Sequence, residues 1–214
     1  MKIGIIGAGM VGGALTKAFA KRGHAVVVSS SDPSSERMKA LIADAGANAH
    51  SGSNEKAAKH GDVIILATPW GATKGIVQSM GELSGKIVID ATNPIKADFS
   101  GLASFENSSG GEQVQAWAKG AHVVKTLNQI GFSLMDAPQV AVGEAIMFIA
   151  GDDEGAKATV AKLVESLGFK AEDCGGLAMS RSLEPLAWLW INRAMMQQKG
   201  PTFAFVLSDA SPGA

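Results

Sequence analysis

The sequence predicts an α/β fold, a doubly wound and mostly parallel sheet followed by a smaller carboxyl-terminal α/β lobe, and three observations carry that expectation. Short apolar runs of strand length alternate with segments of helical period. The first such run passes into the first helical segment through closely spaced glycines. A hydrophobic content of 46% in 214 residues supplies a sizeable core.

Taken in order, strands are expected over Lys2–Ile6, Ala25–Ser29, 62–67, 86–90, 122–124 and 145–150. Between them, helical segments are expected over Met10–Lys21, 35–45, 55–59, 70–80, 112–118 and 154–167, with a last helix over 179–198. Residues 91–111 stand apart: rich in Ser, Gly and Asn, they form a loop about 20 residues long, a length that is usually functional or mobile. The loop follows a strand end, where open α/β sheets collect their ligands, so it is expected to cover a site. A boundary near Lys125 divides the chain into 1–125 and a smaller lobe, 126–214, for substrate and dimerisation. Low complexity is confined to 208–214.

Composition narrows the function classes. A net charge of −1 with 18% charged residues gives no field that favours nucleic acid or an anionic membrane. One cysteine, Cys174, excludes an internal disulfide and any multi-cysteine metal site, and points to a reducing, cytoplasmic setting. The chain enters an apolar strand within two residues of Met1, with no secretion signal, and no apolar run approaches the roughly 18 residues of a membrane span. No nucleic acid, membrane or metal is expected as a partner.

Gly7, Gly9 and Gly12 form G-x-G-x-x-G between a strand and a helix, the Rossmann-type context in which the pattern reads as dinucleotide binding. Gly7 permits the tight turn, Gly9 lets a pyrophosphate reach the backbone, and Gly12 lets helix and strand pack closely. The helix amino terminus then faces the diphosphate. An NAD site usually closes the second strand with an acid, whereas this strand ends in Ser29, Ser30 and Ser31. Hydroxyls and a guanidinium suit the 2′-phosphate of NADP, so Ser30, Ser31 and Arg37 are its candidates. Asp32 competes, as a ribose ligand or as a turn residue before Pro33.

The chain has no tyrosine, and His24, His50, His60 and His122 sit at element boundaries, where they read as caps. With no evident proton-transfer dyad, the chemistry that fits is hydride transfer between two aromatic rings, which asks mainly for alignment. In the last helix Leu183, Leu186, Ala187, Trp190 and Met195 make a packing face, while Trp188 and Ile191 on another face point to a homodimer interface. Arg181 and Glu184 are expected to pair within that helix. Asp152 and Asp153 read as helix caps, and Cys174 as an inert small residue.

The opening "IGIIGAGMVGGALTKAFAKRGHAVVVSSSDP", with "ATPWGA", "VIDATNP", "VVKTLNQIGFSLM", "FIAGDDEGAKATVAKLVESLGF" and "SRSLEPLAWLWI", resembles the NADP oxidoreductase, coenzyme F420-dependent family along nearly the whole chain. The resemblance implies hydride exchange between NADPH and a planar acceptor, a 5-deazaflavin or flavin. By the same resemblance Gly7, Ala8, Gly9, Met10 and Val11 form the pyrophosphate loop, and Ser30 meets the 2′-phosphate. Ala67, Thr68, Pro69 and Trp70 border the nicotinamide ribose, with Trp70 a candidate wall of the ring pocket. Ala91, Thr92, Asn93 and Pro94 lie near the nicotinamide, and Asn128, Gln129 and Ile130 line the acceptor cleft. The chain departs from the family at Ser31 and Asp32, where an arginine commonly follows the serine. Two other activities remain open: imine or carbonyl reduction of the pyrroline carboxylate reductase type, and NADP sensing or scaffolding without turnover.

Overall fold

The central strands are almost wholly apolar because both faces of the sheet are covered. In the computed structural model, which describes residues 1–208, β1 (Lys2–Ile6) and β4 (Val63–Leu66) lie side by side and parallel. Alternate residues feed two separate cores. Ile3, Ile5, Val63 and Ile65 face α1 (Met10–Lys21), α2 (Glu36–Ala45) and α6 (Glu154–Ser166). Ile6, Ile64 and Leu66 face α3 (Asn54–His60), α4 (Trp70–Gln78) and α5 (Gly110–Trp117).

Around this pair the sheet has eight strands in the order β3-β2-β1-β4-β5-β6-β7-β8. Here β2 is Ala25–Ser29, β3 Ala49–Gly52, β5 Ile87–Asp90, β6 His122–Lys125, β7 Ile146–Gly151 and β8 Lys170–Asp173. Every neighbouring pair is parallel except β6 and β7. The chain order reverses between β1 and β4, the switch point at which such sheets open a crevice.

Two strands were not expected from the sequence, β3 and β8, and they are the two edges. Their sequences, Ala-His-Ser-Gly and Lys-Ala-Glu-Asp, carry no apolar run because an edge has one neighbour and part of its surface in water. The predicted helix over 112–118 starts earlier, at Gly110, because Ser109 caps it: its Oγ accepts from the Glu112 N–H and donates to the Glu112 carboxylate at 2.7 Å. Asp153 caps α6 as expected, whereas Asp152 instead accepts from the Leu177 N–H at 2.8 Å. The last helix, α7 (Ser180–Ile191), continues as a π turn over Asn192–Met196. The end of the low-complexity segment, 209–214, lies outside the described residues, among which no helix is long and apolar enough to cross a membrane.

The antiparallel β6–β7 ladder pairs only Val124 with Gly151 and Lys125 with Ala150. Beyond it the side chain of Gln129 takes over: its Oε1 accepts from the Phe148 N–H and its Nε2 donates to the Phe148 carbonyl, both at 3.1 Å. A side-chain amide thus stands in for the next backbone pair. Replacing Gln129 by Leu leaves two part-buried β7 groups unpaired and is expected to lower the unfolding free energy by about 2 kcal/mol, measured by urea denaturation.

A candidate nucleotide-binding cleft

The turn from β1 into α1 is built for close approach. Gly7 has φ +104°, and a Cβ placed on it would lie 2.5 Å from the Ala67 carbonyl oxygen. A Cβ on Gly12 would run into the Gly7 carbonyl, so α1 packs against the strand end only without one. Gly9 differs: nothing lies within 4 Å of the place its Cβ would take. That room is open to the cleft, and the α1 amino terminus beside it has no side-chain cap. Its first N–H groups and its positive dipole end are left for an anion.

This turn forms one wall of a cavity of about 470 Å³ that runs from Ser30, Ser31 and Arg37 past Gly7–Gly9 to Ala67, Thr68 and Pro69. At the β2 end the Ser30 Oγ is buried and has no hydrogen-bond partner, and Arg37 is exposed in the first turn of α2. Asp32 also borders the cavity, but its carboxylate closes the local turn, accepting from the Ser34 N–H at 3.1 Å and the Ser34 hydroxyl at 2.8 Å. Asn54 joins this end through its Oδ1, which accepts from the Ser29 hydroxyl at 2.7 Å. Sequence reasoning passed over Asn54 because it begins a short helix and belongs to no motif.

At the other end the candidates divide. The Asn93 amide donates to the Asn128 carbonyl at 2.9 Å, and the Asn128 amide donates back to Asn93 Oδ1 at 3.0 Å. This pair ties the end of β5 to the segment after β6. Ala91 and Thr92 are buried beside it. Gln129 is buried too, with its amide engaged on β7, and Ile130 packs into the core on the α1 side, so neither offers a free polar group to a ligand. Trp70 does not line the cavity: its ring packs on Phe105 and Trp117, at centroid separations of 5.7 and 5.4 Å. It serves as the apolar start of α4. Met10, 62% exposed, and Phe132, 42% exposed, flank a second hollow of about 300 Å³ that shares Ala8, Gly9 and Arg37 with the first and contains Lys17.

The expected Arg181–Glu184 pair does not form. Arg181 makes a two-pronged contact to Glu112, at 2.6 and 2.9 Å, and Glu184 turns inward to Lys125 at 3.0 Å. Lys125 is fully buried against Asp90 as well, at 2.9 Å. Burial alone would lower its pKa, but the two facing carboxylates outweigh that and hold the ammonium above its ordinary value. Nothing in the local sequence could have revealed this cluster, since its members come from three elements.

The family model described as NADP oxidoreductase coenzyme F420-dependent matches residues 2–94. Along the chain as a whole, the F420-dependent NADP reductase of Methanocaldococcus jannaschii is 29% identical over 204 residues, 89% of this chain and 91% of that protein. The crystal structure of a candidate F420-dependent NADP reductase from Arthrobacter sp. FB24 is 30% identical, with a TM-score of 0.89 over 98% of this chain and 100% of that one. The chain belongs to the NADP oxidoreductase, coenzyme F420-dependent family. A reductive aminase from Aspergillus terreus shares the fold, at a TM-score of 0.68 and 21% identity over 92% of this chain and 62% of that one.

Within this family member, the glycine turn and the Ser30–Ser31 end of β2 fall in a single cavity that Asp32 also borders, whereas the Trp70 ring and the Asn93, Asn128 and Gln129 amides are engaged with other protein groups. Gly9→Val fills room at the one glycine of this turn whose Cβ would have no protein atom within 4 Å. It is expected to leave the melting temperature within a few degrees and to weaken NADPH binding at least about 100-fold, as read by titration of nucleotide fluorescence.

Proposed function

We propose that this chain is an NADP-dependent oxidoreductase that transfers hydride between NADPH and a 5-deazaflavin, coenzyme F420. The observation that carries the reading is the juxtaposition in one cavity of the glycine turn, with its empty Gly9 position, and a β2 end that offers hydroxyls and a guanidinium. The likeness along nearly the full length of F420-dependent NADP reductases supports the choice of acceptor.

Gly7–Gly12 and the α1 amino terminus would hold the diphosphate through backbone N–H groups and the helix dipole. The unpartnered Ser30 hydroxyl, Ser31 and Arg37 would take the 2′-phosphate, with Arg37 supplying the countercharge. Ala67, Thr68 and Pro69 would border the ribose on the nicotinamide side, and the Asn93–Asn128 pair would shape the strand ends where the acceptor ring stacks. NADPH supplies the hydride when bound, and the acceptor ring receives it. The protein needs no nucleophile for this step: its contribution is to hold two rings with reacting atoms about 3 to 3.5 Å apart and to keep water out.

The division of labour at residue 125 and a homodimer through the carboxyl-terminal helix belong to the same proposal. Trp188 and Ile191, the residues expected at that interface, are half-buried, and Met195, expected on the packing face, is instead exposed; with Leu189 and Met196 on that helix and the turn after it, it adds apolar surface suited to a second copy. The reducing, cytoplasmic setting read from a single unpaired cysteine is part of it too.

Anaerobic spectrophotometry tests the reaction: NADPH should bleach the deazaflavin band saturably, and much faster than NADH does. Tight NADPH binding with no bleaching would favour a sensor over an enzyme. Arg37→Ala should weaken NADPH by about 1.5 to 3 kcal/mol at low salt and leave NADH nearly unchanged, the loss expected for one charged hydrogen bond to the 2′-phosphate. Equal losses for both nucleotides would remove Arg37 from that role.

A further inference from the structure

One buried ionic cluster lies outside the lining of the nucleotide-binding cleft described above. The Lys125 ammonium, wholly buried at the end of β6, donates to Asp90 Oδ2 at 2.9 Å and to the Thr92 carbonyl at 2.7 Å, and lies 3.0 Å from Glu184 Oε1. Its three hydrogens therefore have three protein partners, and none remains for a ligand. Asp90 Oδ1 accepts from the Thr92 N–H at 3.0 Å and the Thr92 hydroxyl at 2.6 Å. Glu184, arriving from α7, accepts from the N–H groups of Gly110 and Gly111 at 3.0 and 2.9 Å, capping α5 from a distant element. The Arg181–Glu112 contact straps the same two helices together nearer the surface.

These bonds join the two ends of the long loop. It leaves β5 at the Asp90–Thr92 turn and re-enters helix at Gly110, and Lys125 with Glu184 fastens both ends to one point. The next residue after the fastened turn is Asn93, which is paired with Asn128 at the strand ends. Burying such a cluster is a poor route to stability, since apolar side chains of similar volume do as well or better. What directional bonds from a rigid ammonium supply instead is a fixed geometry, here that of the Thr92–Asn93 turn.

We propose that Lys125, Asp90 and Glu184 act as positioning residues for hydride transfer: through them α7 sets the Thr92–Asn93 turn and the end of the covering loop, and so the placement of the acceptor ring. The proposal rests on the oxidoreductase reading above. None of the three touches the reacting atoms; they act through Asn93, Asn128 and the loop. On the proposed reading the adenosine end would be held by Ser30, Ser31 and Arg37 at the β2 end, across the switch point from these three residues.

The test uses the full chain with Glu184→Gln and Asp90→Asn, each close in shape to the native residue and lacking its charge, with folding checked by circular dichroism. Single-turnover transfer from NADPH to the deazaflavin should slow about 10- to 100-fold, as expected for misplacement on the scale of 1 Å. The affinity for adenosine 2′,5′-bisphosphate should stay within about twofold, and the isotope effect with 4-deuterated NADPH should rise as the hydride step becomes limiting. Should either variant fail to fold, Glu112→Gln, at a partly exposed position, loosens the second strap between the same two helices and should slow transfer severalfold with bisphosphate binding intact. A lower melting temperature with unchanged transfer in the folded variants would reduce the cluster to a structural element and overturn the proposal. Equal loss of bisphosphate affinity would overturn it as well, by revealing a defect across the whole fold. Failure of the wild-type protein to transfer hydride at all would instead overturn the oxidoreductase reading, and this proposal with it.

Discussion

Close packing of α1 on the end of β1 is the contact on which the rest of the cleft depends. The Gly7 carbonyl occupies the space a Gly12 side chain would need, and the Gly7 turn is itself pressed against Ala67 at the end of β4. A helix so placed directs its uncapped amino terminus over the switch point between β1 and β4, and only there do the ends of β2, β1 and β4 open into one cavity. Any residue larger than glycine at this joint would displace the helix dipole from the site it serves.

Polar groups are arranged in two distinct ways along the cleft. Toward β2, beside the engaged Asp32 and Asn54, three groups suit an anion from outside: a serine hydroxyl without a partner, a second exposed serine and an exposed guanidinium. Toward β5 and β6 the members of the Asn93–Asn128 pair and of the Lys125 cluster are engaged with one another, although the buried hydroxyls of Thr126 and Ser180 nearby have no partner. Open donors recognise; closed networks hold shape. The contrast fits a chemistry in which one end of a dinucleotide must be bound tightly and the other placed accurately.

The carboxyl-terminal segments are tied to this frame by side chains as well as by the ladder. After β6 and β7 part, the Gln129 amide continues their pairing, and Glu184 brings α7 down onto the first turn of α5. Both residues are buried polar groups with every partner supplied by the protein, so their loss would leave unpaired groups behind. This explains why an amide and a carboxylate occupy places where the surroundings are mostly apolar.

Much of the fold was legible in the sequence. Parallel strands buried on both faces must be apolar throughout, crossover helices must carry a 3.6-residue period, and a strand-to-helix turn that admits a diphosphate must be glycine. The family resemblance along the chain agrees with the relatives found for it. The edge strands β3 and β8 were not legible, because a strand with one neighbour needs little apolar surface. Nor was the division of the site candidates: Ser30 and Arg37 line the cavity, whereas Trp70 packs with Phe105 and Trp117, and Gln129 bonds to β7. A residue's position beside a strand end is local information, but the direction of its side chain depends on what packs against it. The same reason separates Arg181 from Glu184. Three residues apart on a helix they are close enough to pair, yet charges pair by distance in space, and only the folded chain brings Glu112 and Lys125 nearer to them than they are to each other.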